Sequence, residues 1–290
     1  MAEFTQYAIA GLSNGGIYAL IALGWVLIFN TSGVLNLAQG EFLAWGGLVF
    51  AWCETSTDLP LVVSLLAGIG AAVGIAIALD VVAIRPIRST DLVPVILVTL
   101  GASFVLRELG RIVFGPDALR HDYLIGGDPI IIFGAALLPA TILLWVVVAV
   151  AVCGLALFFR FTVYGKAMTA CSDDVVGARA IGINPARMRT LAFALSGALA
   201  AIGGILIVSS TSMSWEGGTL IGLKGFVAAV FGGLGSYSGA VVGGVTLGLL
   251  EAFGAGYVSS EYKDVFALGL LVLLLLMRPR GILGGRVVEG

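Results

Sequence analysis

Seven polar side chains, Asn14, Asn36, Gln39, Glu41, Thr99, Ser103 and Glu251, lie in or at the edge of apolar stretches of this sequence. An ionisable group at the centre of a hydrocarbon layer costs about 2.5–3.5 kcal/mol on insertion scales unless it is paired or wet. Such residues either line a route for a polar solute or hold helices together by hydrogen bonds, and their types leave both readings open. The two carboxylates, Glu41 and Glu251, are the foremost candidates for a route. Asp80 lies about one turn from Arg85 and is expected to pair with it at the inner surface of the membrane. A second set of residues sits in a polar stretch. Ser172-Asp173-Asp174 opens Val175-Val176-Gly177-Ala178-Arg179-Ala180-Ile181, which Gly182-Ile183-Asn184-Pro185 closes. Serine caps free amides, the aspartates favour the positive end of the dipole, and Gly182 with Pro185 stops the turn, so a short helix is expected. Val175, Val176, Ala178 and Ile181 form an apolar ridge that either packs back onto the chain or docks into another protein; spacing alone favours packing.

The motifs of covalent and metal chemistry are missing from the sequence. His121 is the single histidine, Cys53, Cys153 and Cys171 are far apart, and there is no zinc spacing or serine elbow. No G-x-x-x-x-G-K-[ST] phosphate loop occurs either. The expected chemistry is therefore conformational, with no metal or cofactor held by this chain. Fifteen basic and seventeen acidic residues leave a charge of -2, which gives no reason to expect nucleic acid as a partner.

The elements that carry these residues follow from hydropathy. Of 290 residues, 59% are hydrophobic and 11% charged, against about 25% charged in soluble domains. A mean hydropathy of +1.10 predicts an all-α integral membrane protein, because only lipid accepts so much apolar surface. A hydrocarbon core of about 30 Å asks for about 20 residues per helix. Apolar segments fall at 7–29, 34–52, 61–83, 92–106, 137–159, 191–209, 222–234, 240–256 and 265–277. This is a polytopic helical bundle of about 7–9 hydrophobic segments, some open to being broken or re-entrant. It forms one transmembrane domain over 1–290, with an outer loop at about 110–136 and a cytoplasmic loop at about 160–190. The N-terminus carries Glu3 and no basic residue before the first apolar run, so that run is expected to stay as a span. Placing the N-terminus outside and the C-terminus in the cytoplasm puts Arg85, Arg88, Arg160, Lys166, Arg179, Arg187, Arg189, Arg278, Arg280 and Arg286 inside. Arg107, Arg111, Arg120, Lys224 and Lys263 then fall near the outer ends, among acids such as Asp117, Asp122, Asp128, Glu216 and Glu261. In the outer loop, Gly126-Gly127-Asp128-Pro129 before Ile130-Ile131-Ile132-Phe133 points to a small hairpin or a plain connector.

Glycine makes up 42 residues, about twice the average share of roughly 7%. Gly11 and Gly15, Gly70 and Gly74, Gly239 and Gly243, and Gly244 and Gly248 lie four apart, the spacing that lets helix backbones meet in a membrane. Gly40, Gly46, Gly47, Gly232, Gly233 and Gly235 serve the same packing or mark breaks beside a pathway.

The stretch from Gly165-Lys166-Ala167-Met168 through Ser172-Asp173-Asp174 to Ala178-Arg179-Ala180-Ile181-Gly182-Ile183-Asn184 resembles the coupling loop of branched-chain amino-acid ABC transporter permeases of the LivH type. Gly11 to Leu20, Asn36 to Phe42, Lys224-Gly225-Phe226, Gly232 to Ser236, Gly239 to Gly244 and Arg278 to Gly281 are similar to other blocks of that family, so the resemblance spans nearly the whole chain. The loop lacks the full acid-alanine-alanine form and has Gly-Ile-Asn instead of the general Ile-x-Leu-Pro, a departure similar to the branched-chain branch. The resemblance implies that Ser172, Asp173, Asp174, Gly177, Ala178, Ile181, Gly182, Ile183 and Asn184 meet an ATPase subunit. It implies two such subunits holding ATP and Mg, a second homologous permease, an extracytoplasmic substrate-binding protein, membrane lipid around the bundle, and a small apolar amino acid as cargo. Relatives that carry urea or amides keep other small organic solutes in view. The competing expectation is a secondary transporter or channel that couples an ion gradient through Glu41 and Glu251.

Overall fold

A computed structural model describes residues 2–57, 59–87, 92–121, 124, 127–257, 265, 269, 272–273, 276 and 281–283. Helices α1 (Ala2–Ser32), α2 (Gln39–Ser56), α3 (Leu61–Ala78), α4 (Leu92–Phe114) and α5 (Pro139–Phe161) cover the first five expected segments. Two short helices follow, α6 (Val163–Asp173) and α7 (Val175–Ala180), and then α8 (Pro185–Ser210), α9 (Gly217–Gly232) and α10 (Tyr237–Tyr257). The ninth segment is helical at Val265, Gly269, Val272, Leu273 and Leu276 and otherwise lies outside the described residues, as do Arg88, Asp122, Gly126, Glu261, Lys263, Arg278, Arg280 and Arg286. Among the described residues, six helices are long and apolar enough to cross a membrane; α9 is shorter, and α2 carries Gln39, Glu41 and Glu54.

Helix α1 runs through the middle of the bundle, buried from Gly15 to Ile28, with α8, α9 and α10 packed around it and α2 against α8. The close approach of α1 to α10 depends on glycine. A Cβ at Gly11 would stand 2.8 Å from Leu249 Cα and one at Gly15 2.8 Å from Val245 Cα, while Gly244 and Gly248 press on the α1 backbone from the other side. Gly239 and Gly243 do the same on the α9 side of α10. Gly70 and Gly74 face open space among the described residues, so the expected packing is not seen at that pair there. Gly40, Gly46, Gly47 and Gly232 are packing glycines, whereas Gly233 and Gly235 lie in the break between α9 and α10. Helices α3, α4 and α5 expose Val62, Leu66, Leu97, Ile112, Val146 and Val150, the apolar outer wall that a bilayer would cover.

The second expected segment is broken. Residues 33–38 are non-helical and largely buried, and α2 starts only at Gln39. Asn36 is the reason: its Oδ1 accepts from the Ala38 amide at 3.2 Å, an Asx turn that competes with helix, and Thr99 Oγ1 donates to the freed Leu35 carbonyl at 3.3 Å. At its far end α3 widens into a π-turn at Leu79–Ile84, which carries Asp80. The expected hairpin forms from β1 (Ile130–Ile132) and β2 (Ala135–Leu137), antiparallel, with Ile131 opposite Ala136. Its turn is Phe133-Gly134, with φ of 49° and 84°, the two positive values a two-residue turn needs. Gln6 accepts from the Ala136 amide, fastening the hairpin to the start of α1.

The short helix between the last polar residues is present, with a different cap. Ser172 and Asp173 finish α6, and Asp174 caps α7, its Oδ1 accepting from the Val176 amide at 2.8 Å. Asp174 alone has the extended φ of -154° that a capping residue adopts. Gly182, at φ 87°, closes the helix: the Ile183 amide reaches Ala178 O and the Gly182 amide reaches Arg179 O, both at 3.0 Å, a Schellman pair. Asn184 then caps α8, accepting from the Ala186 and Arg187 amides.

Candidate functional site

Five of the seven polar candidates meet where α2 begins. Glu41 Oε1 accepts from Ser103 Oγ on α4 and from Thr219 Oγ1 on α9, both at 2.9 Å. Gln39 Oε1 accepts from Ser196 Oγ on α8 at 2.7 Å. Asn36 lies on the non-helical stretch just before, and Thr99 one turn from Ser103. On α4, Thr99, Ser103 and Arg107 are spaced by four and share the face turned to α2. Trp45 Nε1 donates to the Leu106 carbonyl at 3.0 Å and sets α4 against α2 at this level. Small residues bring α9 in from the other side: a Cβ at Gly222 would stand 2.6 Å from Gly40 Cα, so this crossing requires glycine. The start of α2 therefore carries polar contacts on two sides, Gln39 toward α8 and Glu41 toward α4 and α9.

Its hydrogen bonds are incomplete. Among the described residues, Asn36 Nδ2, Gln39 Nε2, Glu41 Oε2 and Arg107 Nε are buried without a partner, and Asn36, Gln39 and Glu41 are almost fully enclosed. Buried polar groups are paired in the great majority of cases, so the open acceptor of Glu41 and the open donors of Asn36, Gln39 and Arg107 stand out as groups able to take a further partner. Sequence reasoning missed Ser196, Thr219 and Arg107. The four-residue spacing from Thr99 to Arg107 was a usable signal for the last. Hydroxyls on helices most often bond their own i−4 carbonyl, so Ser196 and Thr219 carried none.

The other two candidates lie elsewhere. Glu251 on α10 accepts from Tyr18 Oη at 2.7 Å and from Lys224 Nζ at 2.6 Å. With Asn14 and Tyr7 it borders a cavity of about 480 Å³ between α1 and α10. Lys224 neutralises this carboxylate within the chain.

At the opposite end, the apolar ridge of α7 divides. Ala178 is 3% exposed and packs inward, whereas Val176 and Ile181 are 76% and 75% exposed and Val175 also faces out. Packing, the reading favoured by spacing, thus holds for Ala178 and fails for Val176 and Ile181, because a helix of this length has too few turns to bury more than one side. Ser172, Asp173 and Val175 border a cavity of about 1250 Å³ with Asn30 and Tyr237. The start of α8 is bolted to the α3 π-turn: Asp80, fully buried, accepts from Arg189 Nε at 2.5 Å and Thr190 Oγ1 at 2.6 Å. The expected Arg85 partner is there at 3.7 Å, and it also donates to Thr190 at 2.9 Å. Arg189, more than a hundred residues away in sequence, is the closer partner and was not foreseen.

Residues 7–275 match the family described as branched-chain amino acid transport system / permease component. The chain is 33% identical to the high-affinity branched-chain amino acid transport system permease protein LivH of Salmonella typhimurium, over 99% of this chain and 97% of that protein. It is 33% identical to BraD of Pseudomonas aeruginosa over 99% and 98%, and 26% identical to LivM of Escherichia coli over 92% of this chain and 68% of that protein. Among solved structures, PsaBC from Streptococcus pneumoniae in complex with Fab shares the fold, with a TM-score of 0.52, 15% identity, and coverage of 96% of this chain and 92% of that one. With its helical membrane bundle and full-length relatives, the chain belongs to the branched-chain amino acid transport permease family, as a permease subunit of an importer.

Proposed function

We propose that this subunit moves branched-chain or other small apolar amino acids inward, driven by two ATPase subunits that dock on α7, with a second, LivM-like permease completing the passage. The observation that carries this reading is the outward pair Val176 and Ile181. Two large aliphatic side chains stand exposed on a helix whose start is fixed by the Asp174 cap and whose end is fixed by Gly182. A capped helix holds such a ridge in one orientation, which suits a groove on a partner. Seven residues after Gly182, Arg189 and then Thr190 meet Asp80 near the start of α8, so a push on α7 reaches α3 and α8 through a buried ionic joint. In this reading the N-terminus and the β-hairpin are outside, where a binding protein delivers substrate, and α6 and α7 are cytoplasmic. ATP and Mg belong to the partner subunits, and this chain's own part is conformational.

The test is co-purification of the cognate ATPase in detergent with wild type, Val176→Asp and Ile181→Asp. Both side chains are exposed, so the variants are expected to fold and to lose the ATPase. Variants that retain the ATPase at the wild-type level would remove α7 from the contact.

A further inference from the structure

We infer that the unpaired groups around Glu41 form a subsite for the head group of a zwitterionic α-amino acid, with the ammonium on Glu41 Oε2 and the carboxylate on Arg107. The inference rests on the importer reading and names which chemistry of the substrate the permease itself recognises. Glu41 is 1% exposed and uses Oε1 for both Ser103 and Thr219, leaving Oε2 open. Arg107 is one α4 turn from Ser103, a rise of about 6 Å, and its Nε is buried and unpartnered while its guanidinium lies 4.8 Å from the Phe104 ring centroid. Glu41 and Arg107 carry opposite charges, and among the described residues they form no ion pair with one another. An α-amino acid carries an ammonium and a carboxylate on a single carbon, each able to make a charge-assisted bond of about 2.8 Å.

The charges decide between ligands. A zwitterion satisfies the open acceptor and the open donor together and adds no net charge to the membrane interior. A proton would satisfy Glu41 alone, and a carboxylate without an amine would satisfy Arg107 alone. Of the two hydroxyls that meet Glu41 Oε1, that of Thr219 belongs to an exposed residue. Beside these groups, Leu100 and Phe104 on α4 and Leu220 and Leu223 on α9 are exposed apolar neighbours, suited to an aliphatic side chain.

The experiment reconstitutes the whole transporter, with its second permease, ATPases and leucine-loaded binding protein, and measures leucine moved per ATP hydrolysed. Glu41→Gln and Arg107→Gln are expected to lower that ratio at least tenfold. Glu41→Asp and Arg107→Lys are expected to recover part of it, which a purely structural role would not require. Wild-type ratios in both Gln variants would overturn the subsite. If Glu41→Gln fails to co-purify with its partners, Arg107→Gln decides alone, since among the described residues Arg107 Nε has no hydrogen bond to lose. A wild-type complex without ATP-dependent uptake would instead overturn the importer reading on which the subsite rests.

Discussion

Replacing Asp80 tests whether the joint below α8 is structural glue of the size its geometry implies. The carboxylate is fully buried and holds Arg189 and Thr190 at 2.5 and 2.6 Å, with Arg85 at 3.7 Å. Asp80→Ala leaves the Arg189 guanidinium, 22% exposed, without its counter-charge. Breaking a buried pair from one side costs about 3–5 kcal/mol, and the partial exposure of Arg189 puts this case near the lower end, about 3 kcal/mol. Asp80→Asn keeps an acceptor for Thr190 and is expected to cost roughly half as much, and Thr190→Val about 1 kcal/mol. With the soluble-domain conversion of about 2–4 °C per kcal/mol, Asp80→Ala lowers the unfolding temperature in detergent by about 6–12 °C. Adding Arg189→Met to Asp80→Ala removes the stranded charge and should restore most of the loss, because replacing both partners of a buried pair by apolar groups is close to neutral. A drop under about 2 °C for Asp80→Ala, or no recovery in the double variant, would refute the buried-pair reasoning.

Further outcomes follow from the same geometry. Gly248→Val drives a side chain into the α1 backbone at Gly15 and should abolish folded yield, while Gly70→Ala, facing open space, should leave yield and unfolding temperature unchanged. Asp174→Ala removes the α7 cap and should cost about 1 kcal/mol, read by amide exchange at Val176, whereas Ser172→Ala should not move that exchange. In intact cells, a membrane-impermeant thiol reagent should label Phe133→Cys from outside and Val176→Cys only after lysis; the reverse pattern would invert the proposed orientation.

Much of the bundle was legible because lipid makes apolar length informative: the stretches at 7–29, 61–83 and 137–159 could hardly be anything but spans, and α1, α3 and α5 occupy them. Glycine spacing was informative only in part. Gly11, Gly15, Gly244 and Gly248 interlock, but Gly70 and Gly74 share that spacing and touch nothing, because spacing gives a helix face and not what lies opposite. The break before α2 was visible as polar residues without its cause, the Asn36 turn, being evident. Asn36, Gln39, Glu41, Thr99 and Ser103 were recognisable as candidates by type, since polar groups in apolar runs are conspicuous. Their convergence, and the separation of Asn14 and Glu251, depends on which helices adjoin, and Arg189 on Asp80 shows the same limit for ion pairs.

The most direct test of the central claim is uptake of labelled leucine by proteoliposomes holding this permease, its second permease and the ATPases, with binding protein supplied on the substrate side. The account predicts accumulation that requires ATP and the binding protein and that falls to background with Ile181→Asp. Uptake driven by an ion gradient in vesicles without the ATPases would contradict it.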